Sequence, residues 1–470
     1  MTAVQDRPTE APLTLEAPAP RVLGLADQLG LWGNLGVSLL GFTGAIFVLV
    51  PVADPGMSLG AALVAVVVGT VLGSLGIGAI AIPGARTGAP SMVLLRGLFG
   101  TRASYVPTVL NIVQLIGWTT FELVTISTAL SQLAPGVPRW AYAVAAGVLS
   151  TALALRPLAW IRVLRKYVTI VVMVALAYLA VQLLRHPLPA LNDGGWNGFW
   201  VAVDTVIGVT VSWVPLVADY ARHSRTPHKA FIGTSVGYAV TQFACYALGL
   251  LALVTVAGRD PDKIFGSFIA VPLGALVFGV LTIRELDQSF ADTYSTAVSV
   301  QNLRPRWDRR VLALVIGAVS TVAAVALNIA DYESFLLLIG SVFVPLLGVL
   351  LVDWFWLRRG RWDLSTGSRT RWATLIAWAA GFVAYQLVNP GALTWWVPIW
   401  SGLGSALHFT APSWLGASIF SFVVAAVVAA LLTPLLRGPE VPDEPTTYDE
   451  TRDEAPAEAE LVAQDEEGAR

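Results

Sequence analysis

At 470 residues the chain is long enough for two or three soluble domains, yet 56% of it is hydrophobic, 13% is charged and 17 residues are Trp, with a mean hydropathy of +0.69. Those values exclude a soluble enzyme or a nucleic-acid-binding protein and indicate a single polytopic membrane domain. The net charge of −2 hides a split: the tail from Gly438 carries 12 of the 31 acids, which leaves residues 22–437 at about +9, a balance suited to loops facing anionic lipid.

Residues 1–24 are Pro/Ala-rich and lack the basic start of a signal peptide, so they are expected as a disordered cytoplasmic N-terminus. Twelve apolar segments follow, at 30–52, 57–82, 105–132, 137–155, 164–184, 197–220, 229–257, 271–302, 308–327, 334–356, 371–388 and 414–436. Loops after the even-numbered segments carry 19 Lys or Arg, and those after the odd-numbered ones carry 4. That alternation predicts a multi-pass plasma-membrane protein with both termini cytoplasmic.

Segment 1 carries Gly41 and Gly44 at mid-depth, and segment 6 carries Gly208 and Pro215. Two interrupted helices five apart fit two inverted five-helix repeats, about 30–184 and 197–356, with the substrate beside the breaks. Two further helices at about 371–436 complete a transporter domain spanning 25–436.

In segment 3, Asn111, Gln114, Trp118 and Glu122 fall on one helix face. An indole one turn from a carboxyl gives a planar heteroaromatic ring a stacking face and an edge partner. Trp213, beside Thr210 and Ser212 in segment 6, is a candidate second face. Asp219 and Arg222 close that segment as a helix-end pair. Cys245, the single cysteine, lies in the apolar run of segment 7.

The densest polar stretch is Arg284–Asn302 in segment 8, where Arg284, Glu285, Asp287 and Asp292 enter hydrocarbon depth. Glu285, Gln288, Asp292, Ser295 and Ser299 share a face, and such a stripe marks a substrate or ion path. An Arg284–Asp287 pair could equally serve packing alone. Ser289, Thr293, Ser295 and Thr296, together with carbonyls freed near Gly41, are candidate Na+ ligands.

Residues 395–410 read as an outer interfacial piece. Trp196, Trp200, Trp354, Trp356, Trp395, Trp396 and Trp400 read as an aromatic belt. Residues 437–470 are acidic, aperiodic and expected to be a disordered cytoplasmic tail. No phosphate loop, dinucleotide fingerprint or zinc-protease motif is present, so neither an organic cofactor nor a metal centre is expected.

The motifs WGNLGVSLLG, NIVQLIGWTTFE, SWVPLVADYARH, FADTYSTAVSVQN and FLLLIGSVFVPLLGVLLVDWFWLRR, in that order, resemble the nucleobase–cation symporter family 1, and within it the cytosine permeases and hydroxymethylpyrimidine transporters. The resemblance spans about residues 25–436. It implies the all-α leucine-transporter fold, with twelve transmembrane helices, a 5+5 inverted repeat and broken helices 1 and 6. It implies a substrate-stacking Trp at Trp118 with its polar partner at Glu122. It also implies an aromatic at Trp213, or alternatively Thr210, and a base-bonding residue at Asp292. Paired Na+-ligating hydroxyls of the family fall near Asp287 and Gln288, which are not hydroxyls, so H+ and Na+ both stand as coupling ions.

The expected function is cation-coupled import of a nucleobase by alternating access. A purine, uracil, allantoin or hydroxymethylpyrimidine substrate is the alternative within transporters. Cytosine is the first candidate, because a protonated carboxyl meets its acceptor-nitrogen and amino edge with two hydrogen bonds. A membrane enzyme acting on a lipid-linked substrate would gather its acids at a membrane face, whereas these acids lie at mid-depth. A small nucleobase and the bilayer are the only partners expected.

Overall fold

The computed structural model describes residues 10–15, 17–51, 56–163, 167–258, 260, 263–327, 332–391, 393–412 and 414–436. Residues 1–9 and the acidic tail at 437–470 lie outside them. The described chain is helical, with two isolated β-bridges at Leu23–Ser224 and Met57–Gly195. The first helices are α1 Leu25–Leu35, α2 Leu39–Leu49, α3 Leu59–Thr87, α4 Ser91–Phe99, α5 Tyr105–Leu133, α6 Arg139–Ala154, α7 Pro157–Val163 and α8 Thr169–Leu183. They are followed by α9 Phe199–Val211, α10 Val217–Ala221, α11 Pro227–Thr255, α12 Ile264–Ile269, α13 Gly274–Arg284, α14 Leu286–Leu303, α15 Arg309–Ala326 and α16 Tyr332–Leu351. A π-helical turn at Val352–Leu357 precedes α17 Trp372–Val388, α18 Val397–Ala406 and α19 Ala417–Leu435.

Each apolar segment of the sequence falls on one of these helices or on consecutive ones. Among the described residues, six helices are long and apolar enough to cross a bilayer alone, or eight spans if each sharply bent pair is one. α3 shows how such helices pack. It turns Val67, Val71 and Leu75 outward and buries Gly69, Gly73 and Gly84, since lipid solvates the large side chains and small ones let helices approach. A Cβ at Gly73 would lie 2.6 Å from Thr210 Cβ, and one at Gly84 2.6 Å from Ala218 Cβ. α3 thus holds both α9 and α10 at close range.

The interruption in segment 1 lies at Gly36–Ser38, between α1 and α2, which meet at 60°. This corrects the expectation of a break at Gly41. Gly41 sits inside α2, where its Cβ position lies 3.4 Å from Cys245 Cβ, and Gly44 is helical too. Gly36 ends α1 because α11 presses on it: a Cβ there would stand 2.7 Å from the Tyr238 carbonyl. Ser38 then starts α2 in extended geometry and accepts from Leu40 N at 3.1 Å, as N-cap serines do.

Segment 6 is interrupted at residues 212–216, between α9 and α10, not at Gly208, which is helical. Pro215 has no N–H to continue the ladder. The carbonyls set free find donors on α5: Gln114 Nε2 reaches Ser212 O at 3.2 Å, and Asn111 Nδ2 reaches Pro215 O at 3.4 Å.

The disorder expected for residues 1–24 does not extend to 10–15 and 17–24. Glu10 accepts from Leu158 N at 2.9 Å and Ala159 N at 3.1 Å at the start of α7. Leu13 O accepts from Arg309 N, and Leu23 exchanges backbone bonds with His223 and Arg225. Unpaired donors at helix ends bind this arm, and no compositional rule sees them. Trp354 is another correction: it is buried against Trp362 rather than in a lipid belt, at a ring distance of 4.7 Å. Trp356 and Trp395 are 72% and 66% exposed, as a belt requires.

Candidate substrate site

Two polar helices face each other across the bundle, and the two interruptions lie beside them. α5 contributes Trp118 and, one turn on, Glu122. α14 contributes Gln288 and Asp292. Together with Ser38 from the first interruption, Ser212, Trp213 and Leu216 from the second, Val209 and Tyr238, they line one buried cleft. Its free volume is about 20 Å³, room for a water molecule but not for a planar base, so a substrate must part the walls. A wider cavity of about 840 Å³ opens at the arginine-rich end, between the N-terminal arm and Arg96, Arg222 and Arg304. It lacks the paired aromatic faces and carboxyls.

The two indoles have different neighbours. Trp213 is wedged edge-on between Trp32, at 5.9 Å, and Tyr238, at 6.1 Å, and its Nε1 donates to the Tyr238 hydroxyl at 3.0 Å. Trp118 meets Phe335 edge-to-face at 5.5 Å. On the floor, the Glu122 and Asp292 carboxyls lie within hydrogen-bonding reach of each other. Glu122 Oε2 meets no N–H or O–H donor among the described residues. Carboxylates are acceptors only, so two of them bond to each other only through a proton carried by one.

Five residues expected at the site stand elsewhere. Gln114 serves the segment 6 interruption, through Ser212 O and Asn111. Thr210 is fully buried, and its hydroxyl donates to Gln242 Oε1 at 2.7 Å. Ser289 faces α6 and bonds Ser150 Oγ at 2.7 Å. Asp287 accepts from Trp160 Nε1 at 3.0 Å and lies 3.7 Å from Arg284. Gly41 packs in α2. Asp219 and Arg222 serve neighbouring helices: Asp219 accepts from Ser91 N at 2.8 Å, and Arg222 donates to the Tyr294 hydroxyl at 3.1 Å.

Ser38 and Tyr238 are cleft residues that patterning overlooked. The signal for Ser38 was available, since a serine two residues after a tightly packed glycine restarts a helix. Tyr238 sits in an apolar run with nothing to single it out.

Thr210→Val tests this placement. It leaves Gln242 Oε1 without a donor, at a cost of about 1–3 kcal/mol, so the thermal midpoint in detergent should fall while base affinity holds. Lost affinity at unchanged stability would return Thr210 to the cleft.

The sequence family described as permeases for cytosine/purines, uracil, thiamine and allantoin matches residues 32–388. The chain is 24% identical over 384 residues to a putative purine-cytosine permease, YxlA, of Bacillus subtilis (strain 168), covering 75% of this chain and 81% of that one. Among solved structures, Mhp1, a nucleobase-cation-symport-1 family transporter in a closed conformation with bromovinylhydantoin bound, matches with a TM-score of 0.71 at 17% identity, over 91% of this chain and 95% of that one. A Na+-coupled sialic acid symporter in a substrate-bound outward-open state matches with a TM-score of 0.60 at 12% identity, over 89% and 91%. At such identities these likenesses bear on the fold alone, an all-helical one.

Proposed function

Because the chain belongs to the family of permeases for cytosine/purines, uracil, thiamine and allantoin, we propose that it imports a nucleobase, cytosine or another aminopyrimidine first among them, by cation-coupled symport. It is a multi-pass membrane transporter, not an enzyme. The proposed architecture is twelve transmembrane helices in which 30–184 and 197–356 form inverted repeats. Spans 1 and 6 are then the broken ones, at Gly36–Ser38 and residues 212–216.

The observation that carries this reading is the cleft itself: two indoles, Trp118 and Trp213, and two facing carboxyls, Glu122 and Asp292, beside both interruptions. Parted indoles would take the two faces of a flat ring, each worth roughly 1–3 kcal/mol. The carboxyls would bond its edge. Gln288 and Ser38 tie the cleft to the segment 1 interruption, so closure on a base is felt where α1 and α2 hinge. Alternating access then follows from rocking one set of helices against the other around a fixed site.

The test is a thermal-shift screen of purines and pyrimidines on purified protein, followed by uptake of each stabilising base into proteoliposomes. Stabilisation by cytosine, with accumulation driven by an ion gradient, is the expected result. Indifference to every planar base would reject the reading.

A further inference from the structure

The interruption between α1 and α2 frees backbone carbonyls inside the bundle, at the buried residues Asn34, Leu35 and Val37, and such carbonyls need an electropositive partner where water is scarce. In a transporter coupled to Na+, unwound carbonyls of this kind coordinate the ion. Here they are already taken. The Arg284 guanidinium donates through Nη2 to Asn34 O and through Nη1 to Val37 O. Gln288 Nε2 donates to Leu35 O at 3.1 Å, and also to Val37 O. All three carbonyls that the interruption presents to α14 therefore accept from side chains of α13 and α14.

The charge is balanced in place. Arg284 Nη1 lies 3.1 Å from Glu285 Oε2, and Nε lies 3.7 Å from Asp287 Oδ2. Glu285 in turn accepts from Ser38 Oγ at 3.1 Å and Leu39 N at 3.3 Å, an acid at the start of α2 where the helix dipole favours it. Two of the hydroxyls that could complete an oxygen cage are engaged with other groups. Ser289 Oγ bonds Ser150, and Thr293 Oγ1 donates to Ser289 O at 2.8 Å. A hard cation needs a shell of free oxygens, whereas the three carbonyls already carry N–H donors. Asn34 Oδ1 and Asp287 Oδ2 meet no donor among the described residues, and the latter lies 3.7 Å from Arg284 Nε.

We propose that Arg284, helped by Gln288, is a tethered cation in the place a coupling Na+ would occupy, so that this transporter runs without Na+ and couples to a proton held by the Glu122–Asp292 pair. The second half rests on the transport function proposed above; the first does not. A guanidinium stays charged at any physiological pH and cannot leave with the substrate, so it holds the hinge but carries no gradient. The exchangeable positive charge must come from another group. The Glu122–Asp292 pair is beside the base, and one proton satisfies both carboxyls. The ionisable groups around it are Arg284 and Glu285 on its own side, with Tyr220 and Tyr238 across the cleft.

The experiment starts without any base. Thermal midpoints of the purified protein are measured in NaCl and in choline chloride at equal ionic strength, and radiolabelled Na+ binding is measured beside them. The wild type should show no Na+-specific rise and no saturable Na+ binding; either one overturns the proposal. Arg284→Ala takes the side-chain donor from Asn34 O and leaves Val37 O to Gln288 alone, next to Glu285 and Asp287, so it should acquire a Na+-specific rise. A folded Arg284→Ala protein as indifferent as wild type would also overturn it. Should that variant fail to fold, the wild-type arms still decide, and Arg284→Lys, which keeps the charge, should stay indifferent. In proteoliposomes, labelled cytosine should then accumulate under an inward proton gradient in choline, and a protonophore should abolish it. Accumulation that needs Na+ and ignores the protonophore overturns the proton half. Because the Na+ arms need no nucleobase, failure of the transport reading and failure of this one are told apart.

Discussion

Trp118→Ala should lower base affinity roughly tenfold to a hundredfold and abolish uptake, with membrane expression unchanged. One indole face contributes about 1–3 kcal/mol to a stacked base, and every 1.4 kcal/mol is a factor of ten in binding. Trp118 is a cleaner probe than Trp213. Trp213 is fixed between Trp32 and Tyr238 and holds the Tyr238 hydroxyl, so its truncation would mix unfolding with lost stacking. Trp118 is buried in the cleft wall with Phe335 as its aromatic neighbour, and Trp118→Phe should keep part of the affinity. The measurement is equilibrium binding of labelled cytosine, with expression followed by fluorescence of a fused reporter. Unchanged affinity in the Ala variant would make Trp118 a packing residue against Phe335.

The polar face of segment 3 was legible because helical periodicity alone sets it: Asn111, Gln114, Trp118 and Glu122 do lie together. Their division of labour was not. Asn111 and Gln114 serve carbonyls about a hundred residues away in sequence, and no local pattern encodes that pairing. The same limit explains the displaced breaks. Gly41 and Gly208 advertise flexibility, but a membrane helix can open only where side-chain donors meet its freed carbonyls. Those donors sit opposite Gly36–Ser38 and residues 212–216. Arg284 shows both sides of the matter. Its i, i+3 relation to Asp287 was readable, and the pair exists at 3.7 Å. Its bonds to Asn34 and Val37, some 250 residues back, were not readable.

Uracil should compete for the site about tenfold to a hundredfold less well than cytosine, and Glu122→Gln should narrow that gap. The reason is an excess of acceptors. Glu122 and Asp292 bring two carboxyls to the cleft, and Glu122 Oε2 meets no donor there among the described residues. Three nearby donors are spent elsewhere: Ser38 Oγ on Glu285, Trp213 Nε1 on Tyr238, and Gln288 Nε2 on Leu35 and Val37. Such a lining favours a base that brings N–H groups. Cytosine and other 4-aminopyrimidines present an amino donor where uracil presents a carbonyl. Uracil would thus set lone pairs against carboxyl oxygens in a dry cleft, and a buried polar group left unmatched costs about 1–3 kcal/mol. Replacing Glu122 by Gln removes one acceptor and adds two N–H donors, so the uracil carbonyl gains a partner and the cytosine amino group loses one. The measurement is displacement of labelled cytosine by unlabelled uracil in both proteins. Equal displacement by uracil and by cytosine in the wild type would show that the carboxyl pair does not read the amino edge.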